Sequence, residues 1–365
     1  MHPFDPIPRT EPQQLDLFLA GPLFFDLVFT DLPEDPRPGT EVRAGGMGSL
    51  PGGVANMAVA AARLGLRTGL AAGFGDDAYG SWNWSVLGEH EGIDLSRSRV
   101  IDGWHSSVTV SVNRHGDRSM ITHADESPVS IEELVGETPQ ARAYFVDLGE
   151  ERVVDAGGAA TAPWWTGALG TDALIFADVG WDDSGSWDPR VLDALDGCHA
   201  FLPNRVEAMA YTRTDTPEAA ARALAERVPL AVVTLGAEGA LAIDASTGEE
   251  ARVAGVPVTA FDATGAGDVF TAAMITGTLQ GWPLVDRLNF ATLCAGLAVQ
   301  NFGGSLGSPS WNDLATWRIG VLSRTEHDEA ARELAQRFGF IDRALQQGAP
   351  QTLRACATIG FEPRR

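Results

Sequence analysis

Short apolar runs alternate with helical patterns along most of the chain. Buried strands are predicted at 15–20, 68–73, 143–148, 173–178, 198–202, 230–235 and 239–243. Helices are predicted at 54–64, 78–90, 205–212, 217–227, 268–279, 283–299 and 325–346. Alternation of this kind builds parallel sheets that are covered by helices on both faces. The pattern therefore predicts an α/β fold.

One segment departs from this alternation. Residues 106–124 contain two β-rich runs around the turn sequence from Arg114 to Asp117, which is a hairpin signal. The first 14 residues are rich in proline and polar groups, and they predict a loose arm. We therefore expect a small β element that is set apart from the main sheet.

Composition and charge exclude several functions. The 365 residues include 49 acidic and 26 basic side chains, a net charge of −23, so a nucleic acid would be repelled. The chain contains no lysine, which excludes a P-loop, Schiff-base chemistry and the protein-kinase motif set. It has neither a membrane-length apolar run nor a signal-peptide pattern. Three dispersed cysteines predict reduced thiols and a cytoplasmic location.

The strongest chemical signal is the sequence Asp-Ala-Thr-Gly-Ala-Gly-Asp at 262–268, directly before an apolar helix. The small residues Gly265, Ala266 and Gly267 allow backbone amides to face a cavity, and the helix N-terminus adds partial positive charge. Asp268 is placed to accept a proton from an attacking hydroxyl. A glycine turn whose aspartate caps the helix would give the same pattern.

A second glycine motif precedes the first predicted helix. Pro51 is followed by Gly52 and Gly53, and Asn56 lies in the first helical turn. The glycines allow a ligand to approach closely, and the amide of Asn56 offers both a donor and an acceptor, as a polyol requires. An ordinary loop with an asparagine in the first turn is the alternative.

These two motifs, in this order and about 210 residues apart, resemble those of the ribokinase-like, or phosphofructokinase-B type, carbohydrate kinases. The resemblance implies a doubly wound, mainly parallel sheet flanked by helices, with a small β lid. It places the kinase domain at 15–320, the lid segments at about 27–47 and 106–124, an arm at 1–14 and a C-terminal helical extension at 321–365. It also implies transfer of the γ-phosphate of ATP, with Mg²⁺, to a sugar or nucleoside hydroxyl.

The resemblance assigns roles at the reaction centre. It implies that Asp268 is the catalytic base and that Gly265, Ala266 and Gly267 form the anion hole. Asp26, expected just after the first strand, corresponds to the substrate-binding aspartate of the family. A solvated loop carboxylate is the alternative for Asp26.

Further positions carry over for the acceptor substrate. Gly52, Gly53 and Asn56 correspond to substrate contacts on the N-terminal glycine motif. Arg118, on the predicted lid, is a candidate for contacting substrate or phosphate, and a solvated lid arginine is the alternative. The strongly negative net charge makes an acceptor that already carries a phosphate less favourable.

The resemblance also implies cation sites. Asn204 and Glu207 match the N-x-x-E motif that handles Mg²⁺, through water where the ion keeps its hydration shell, and a helix capping box is the alternative. Asp262 and Thr264 align with positions that help hold a monovalent cation such as K⁺. Gly307 stands where the family's cation loop often has serine.

The nucleotide side is implied by a turn between two predicted strands. Thr234, Gly236 and Gly239 match this turn, for which an ordinary tight hairpin is the alternative. Thr292 stands where an asparagine is often found near the adenine. Gly180 replaces an asparagine that is common in sugar-acid and fructose kinases, which counts against those two subgroups.

The predicted function is an ATP-dependent phosphotransferase that acts on a small sugar, ribose-like or hexose-like. Two alternatives stay open: a nucleoside kinase of the same family, and a catalytically silent binding protein on the same fold. A homodimer through the lid strands is expected, because pairing would protect exposed strand edges.

Overall fold

The protein is described here from a computed structural model, which covers residues 14–114, 117–149, 163–180, 182, 184–301 and 304–346. In chain order, the strands of these residues are β1 (Leu15–Ala20), β2 (Leu23–Thr30), β3 (Gly46–Gly53), β4 (Thr68–Ala71), β5 (Gly73–Gly75), β6 (Arg99–Ile101), β7 (Ser107–Arg114), β8 (Asp117–His123), β9 (Ala141–Asp147), β10 (Leu174–Asp178), β11 (Ala200–Phe201), β12 (Leu230–Thr234), β13 (Ala240–Asp244) and β14 (Glu249–Val253). The α-helices are α1 (Ala55–Arg63), α2 (Ala78–Trp84), α3 (Ile131–Val135), α4 (Arg205–Thr212), α5 (Pro217–Ala225), α6 (Ala266–Leu279), α7 (Leu284–Ala298), α8 (Trp311–Leu322), α9 (Glu329–Arg337) and α10 (Ile341–Gln346).

Eight strands form the main sheet, in the order β14-β13-β12-β11-β10-β9-β1-β4. The six strands from β12 to β4 in this order run parallel, and the edge strands β13 and β14 are antiparallel. The predicted mainly parallel α/β sheet is confirmed. Because all the parallel strands point the same way, their carboxyl ends lie along one edge of the sheet.

Both faces of the main sheet are buried. Along β1, Leu17 and Leu19 point into a core that is shared with α1, α6 and α7, whereas Phe18 points into a core that is shared with α4 and α5. This alternation follows from the two-residue period of a strand. The near-continuous apolar runs in the sequence reflect burial on both sides.

A second sheet of four strands has the order β3-β2-β7-β8. Strand β2 pairs in parallel with β7, and the other two pairings are antiparallel. This sheet contains the predicted hairpin, whose turn residues 115–116 lie outside the described residues. It also extends beyond the segments predicted as a lid, from Leu23 to Gly53. The role of this sheet as a lid stays a prediction.

Several predicted boundaries differ from the structure. The helix predicted from 268 begins at Ala266, so Asp268 lies inside its first turn. The helix predicted at 78–90 changes to a π-helical segment, Ser85–His90. Strands β3, β5, β6 and β14 and helices α3 and α8 were not predicted.

The C-terminal helical region predicted at 325–346 consists of two helices, α9 and α10. Phe338 and Ile341 from this region are fully buried in the core that α6 and α7 share. Residues 1–13 and 347–365, which contain most of the predicted arm and the end of the extension, lie outside the described residues.

None of the described helices combines the length and the apolar character that crossing a bilayer requires. Cys198 and Cys294 are buried free thiols, and Cys356 lies outside the described residues.

Candidate active site

Polar side chains gather at the carboxyl edge of the main sheet. Asp147 ends β9 and Asp178 ends β10, and these two residues are direct partners in the strand register. Asn204 forms an isolated bridge with Thr234, which ends β12. Ligands of open α/β sheets bind along this edge. The carboxylates of Asp147 and Asp178 were not predicted as site residues, although their place at strand ends is visible in the sequence.

The small-residue turn before α6 is left-handed. Gly265 has φ of 74° and is the N-cap residue of the helix. A Cβ atom added to Gly265 would lie 3.0 Å from the Cα of Gly304, so a side chain would be both strained and crowded. The amide of Ala266 donates to the carbonyl of Ala263 at 3.2 Å. The amides of Gly267 and Asp268, in the first turn, have no partner within the helix, and nothing lies within 4 Å of an added Cβ at Gly267.

The carboxylate of Asp268 accepts a hydrogen bond from the side-chain amide of Asn56. Burial raises the pKa of Asp268 to about 7, the bond from Asn56 opposes that rise, and the negative charge of Asp147 adds to it. The Oδ1 atom of Asn56 is buried without a hydrogen-bond partner among the described residues. The two predicted motifs therefore meet at one carboxylate, and its raised pKa would suit proton exchange near neutral pH.

A segment at 304–308 holds these motifs together. The amide of Gly304 donates to the carbonyl of Thr264 at 2.8 Å, and Ser305 Oγ donates to the carbonyl of Pro51. Arg63, on α1, donates through Nη1 to the carbonyls of Leu306 and Ser308 at 2.9 and 2.8 Å. We call residues 304–308 the bridging segment, since it contacts the N-terminal glycine motif, α1 and the turn before α6.

Arg63 itself is fixed by a buried ion pair. Its Nε and Nη2 atoms donate to the carboxylate of Glu91 at 3.0 and 2.7 Å. Both side chains are almost completely buried, so the carboxylate of Glu91 takes the place of water as the hydrogen-bond acceptor for Nε and Nη2. The Nη1 atom remains available to the bridging segment.

Asp26 follows β1, as predicted, and it is the fourth residue of β2 rather than the loop carboxylate of the alternative. Its carboxylate lies against the Cα of Gly52 on the neighbouring strand, because a Cβ there would be 2.1 Å from Oδ2. Gly53 has φ of 62°, and its added Cβ would lie 2.4 Å from the carbonyl of Pro22. Both glycines are therefore required where β2 and β3 meet α1.

The predicted nucleotide turn follows β12. Gly236 and Gly239 have positive φ angles of 61° and 105°. A Cβ added to Gly239 would lie 2.0 Å from the carbonyl oxygen of Val253, so the turn packs directly on the end of β14. Thr292 is buried on α7, and its hydroxyl donates to the carbonyl of Leu288 in the preceding turn at 2.7 Å.

The sequence of residues 23–311 matches the pfkB family of carbohydrate kinases. The chain belongs to this family. The resemblance that the two glycine motifs suggested is confirmed, and the match covers the main sheet apart from β1, the small sheet and the helices through α7.

Two relatives and one solved structure illustrate what this kinase is similar to. A ribokinase of Bacillus subtilis is 26% identical over 308 residues, which cover 82% of this chain and 98% of that protein. A nucleoside kinase of Methanothermobacter thermautotrophicus is 28% identical over 300 residues, covering 80% and 92%. The structure of a putative ribokinase II from E. coli, in complex with ATP and Mg²⁺, has a TM-score of 0.67 at 20% identity, covering 83% and 98%. The similarity to the E. coli structure shows that the two chains share a fold.

Asn204 and Glu207, the predicted Mg²⁺ motif, form a complete capping box at the start of α4. Asn204 Oδ1 accepts from the amides of Val206 and Glu207 at 2.8 and 3.1 Å, and Glu207 Oε2 accepts from the amide of Asn204 at 2.8 Å. The helix capping box, which was the alternative interpretation of this motif, is thus formed. Burial raises the pKa of Glu207, and the charge of Asp147 raises it further. A carboxylate in this environment gains stability from a nearby cation, so the pair also fits a hydrated Mg²⁺ ion.

Negative charge is concentrated around Asp178. Burial raises the pKa of Asp178 well above its usual value, and Glu207, Asp147 and Asp268 each raise it further. Among the described residues, no group of three or more His, Cys, Asp or Glu side chains is arranged to hold a metal by itself.

The predicted monovalent-cation residues lie next to each other in the turn before α6. Asp262 Oδ1 accepts from the amide and the hydroxyl of Thr264 at 2.9 and 2.7 Å. Gly307, which the sequence placed in the cation loop, carries no hydroxyl, whereas the next residue is Ser308. Ser308 is buried, and its Oγ has no hydrogen-bond partner among the described residues. A buried hydroxyl without a partner could serve as an oxygen ligand for a monovalent cation.

Arg118, the predicted lid arginine, lies on β8 opposite Asn113 of β7. Its side chain lies outside what the structure describes, so its proposed contact with substrate or phosphate stays a prediction.

Proposed function

We propose that this pfkB-family kinase transfers the γ-phosphate of ATP to a hydroxyl of a small, uncharged sugar, either ribose-like or hexose-like. The observation that carries the proposal is the carboxylate of Asp268. It lies in the first turn of α6, bonded to Asn56, with a pKa of about 7. A scaffold without catalytic function gains nothing from a carboxylate that is partly buried and kept near its titration point.

In the proposed reaction, Asp26 and Asn56 orient the acceptor and its hydroxyl proton passes to Asp268. The hydroxyl oxygen forms a bond to the γ-phosphorus while the bond from that phosphorus to the β,γ-bridging oxygen breaks, and ADP leaves. Backbone amides of the turn at 265–268 and the dipole of α6 stabilise the charge on the transferred group. Positioning and electrostatics would supply most of the acceleration.

Asn204 and Glu207 would hold Mg²⁺ through its water ligands, and Asp262 and Thr264, with Ser308, would contribute oxygen ligands to K⁺. When bound, Mg²⁺ neutralises charge on the triphosphate. Thr234, Gly236, Gly239 and Thr292 would line the nucleotide side of the site.

The nucleoside-kinase alternative is favoured by one observation, the similarity to the Methanothermobacter enzyme. A nucleoside base would require an aromatic ring that is free to stack on it. Among the tryptophans of the described residues, Trp82 contacts Phe25 and Trp84 contacts Phe74, both edge to face. Both rings already have an aromatic partner, which supports a sugar as the preferred acceptor.

A coupled ADP-release assay over pentoses, hexoses, sugar acids, sugar phosphates and nucleosides tests the proposal. We expect turnover with a neutral sugar and a raised Tm in the presence of that sugar. Turnover with nucleosides alone would select the alternative acceptor. ATP binding without any acceptor-dependent ADP release would favour the catalytically silent protein.

Two further expectations concern the whole molecule. Met120 and Ile121, on strand β8 at the edge of the small sheet, are 54% and 74% exposed. Pairing with a second copy through these strands would cover them, and a monomeric mass by light scattering would exclude such a dimer.

A cytoplasmic location also remains a proposal, which fractionation of the source cells would test.

A further inference from the structure

We propose that Arg337, on helix α9, is a positioning residue that sets the affinity of the kinase for its nucleotide. Helix α9 follows residue 311, the last residue that matches the pfkB family. The inference rests on the proposed function, because it takes the turn at 236–239 and Thr292 as the nucleotide side of the site.

Arg337 joins two elements that are distant in sequence. Its Nε donates to Oδ1 of Asn289, on α7, at 2.6 Å, and its Nη2 donates to the carbonyl of Ala254, after β14, at 2.5 Å. Asn289 is 6% exposed, so its side-chain oxygen has little access to water as a replacement donor. One rigid guanidinium therefore fixes the distance between α7 and the chain segment that leaves β14.

Both of these elements belong to the proposed nucleotide side. The predicted nucleotide turn interlocks with the segment after β14, because a Cβ added to Gly255 would lie 2.1 Å from the carbonyl oxygen of Ala237. That segment then runs as the loop 254–265 and ends at the turn before α6. Asn289 lies one helical turn before Thr292 on α7.

The loop also follows α7 along its length. A Cβ added to Gly296 would lie 3.4 Å from Val256, and the amides of Phe261 and Asp262 both donate to the carbonyl of Val299. Arg337 holds the beginning of this loop, whereas Val299 holds its end. Loss of the Arg337 contacts would free the end of the loop that adjoins the nucleotide turn and leave the end near Asp268 in place.

Helix α9 is a firm support for the arginine. Phe338, the next residue, is completely buried, and the guanidinium carbon of Arg337 lies 4.7 Å from the centre of its ring. Arg318, on α8, donates to both carboxylate oxygens of Asp342 at 2.8 and 2.7 Å and to the carbonyl of Ala335 at 2.8 Å. The helix is thus packed and hydrogen-bonded independently of Arg337.

The partners of Arg337 indicate a geometric role. Among the ion pairs formed within the described ranges, none involves Arg337, and both of its hydrogen-bond acceptors are neutral. A guanidinium that binds two fixed neutral oxygens supplies direction and spacing, which a lysine ammonium reproduces only in part.

The test measures binding of MgADP and of the ATP analogue AMP-PNP to the full chain by isothermal titration calorimetry. In Arg337→Met, which keeps an unbranched side chain and loses both hydrogen bonds, we expect both Kd values to rise about threefold to tenfold. Arg337→Lys should lie between this variant and the unaltered protein. The matched control is Arg332→Met, which removes an exposed arginine of the same helix and should leave both Kd values unchanged.

Steady-state kinetics with the best acceptor separates positioning from general damage. We expect the KM for ATP to rise in Arg337→Met while the KM for the acceptor stays within about twofold, since the far end of the loop keeps its own contacts. Equal rises in both KM values, or an unchanged nucleotide Kd in a folded variant, would overturn the proposal.

If Arg337→Met fails to fold, Asn289→Leu removes one of the two hydrogen bonds and should raise the nucleotide Kd less, with the same selectivity. An unchanged Kd in that variant would count against the proposal. Unaltered protein that binds neither MgADP nor AMP-PNP would refute the proposed kinase function together with the role of Arg337. Normal binding that is insensitive to Arg337 would refute the role alone.

Discussion

The two edges of the main sheet both bury charged side chains, but they treat them differently. At the amino edge, Arg142 donates to Asp16 at 2.6 Å, and Asp16 also accepts from the amide of Arg67 at 2.9 Å. At the carboxyl edge, the charged neighbours that shift the pKa of Asp178 are all carboxylates. Buried charge is compensated at one edge and concentrated at the other.

This difference suggests that the amino edge serves stability and the carboxyl edge serves function. A buried carboxylate beside a guanidinium and an amide is satisfied within the protein. Carboxylates that repel one another raise their own pKa values and leave a negative potential that only a proton or an added cation relieves. The carboxyl edge therefore carries an electrostatic cost that the proposed Mg²⁺ ion would relieve.

The largest effect should come from the carboxyl edge. Replacing Asp268 by asparagine removes the proton acceptor while it keeps the shape of the side chain, so kcat should fall by about 10² to 10⁴. The control is Asp286→Asn, which alters an aspartate in the first turn of α7 and should retain turnover. Near-normal kcat in Asp268→Asn would remove Asp268 from its proposed role.

The amino edge should respond in stability instead. Arg142→Met leaves Asp16 buried without its guanidinium partner, so the free energy of unfolding should fall by about 3 kcal/mol. Denaturation by urea measures this change. For comparison, Arg252→Met breaks an exposed pair with Glu218 and should cost less than about 1 kcal/mol. Equal losses in the two variants would contradict the assignment of the amino edge as structural.

The same Asp268→Asn substitution should stabilise the protein above neutral pH. The pKa of Asp268 is raised in the folded state, so its contribution to stability is present at low pH and is lost as the pH rises through about 7. Asparagine does not ionise, so the Tm of the variant should exceed that of the unaltered protein by a few degrees at pH 8 and by less at pH 5. The exposed Asp215→Asn serves as control, and a difference that does not depend on pH would argue against burial as the cause.

The smallest effect concerns the pH profile of kcat/KM. Because Asp268 must be ionised to accept a proton, activity should fall as the pH drops below about 7. Asp147→Asn removes a negative neighbour and should move this limb to lower pH by up to about one unit. Asn56→Ala removes a bond that lowers the pKa and should move the limb upward. Shifts in the same direction for both variants would contradict the geometry around Asp268.

The parallel sheet and most of its helices could be predicted because burial on both faces leaves near-continuous apolar runs. Helix α4 was predicted with its observed bounds, since Asn204 and Glu207 form a capping signal that is local in sequence. Strand β14 escaped prediction because its exposed edge position allows charged residues such as Glu249 and Arg252.

The residues of the site were more predictable than their partners. The glycine motifs indicate Asp268 and Asn56, because a turn before a helix has a local signature. The hydrogen bond between these two side chains and the charge of Asp147 depend on tertiary packing, which no local pattern encodes. The same limit applies to Arg337, whose two acceptors lie 48 and 83 residues away.

The bridging segment has a consequence for biosynthesis. Ser305 bonds to Pro51 across 254 residues of sequence, and Arg63 bonds to Ser308 across 245. While the ribosome is still producing the first three hundred residues, the nascent polypeptide lacks the piece that joins its two glycine motifs. Such long-range closure is slow to form. The contacts that join the two motifs should therefore form only after translation has passed residue 308.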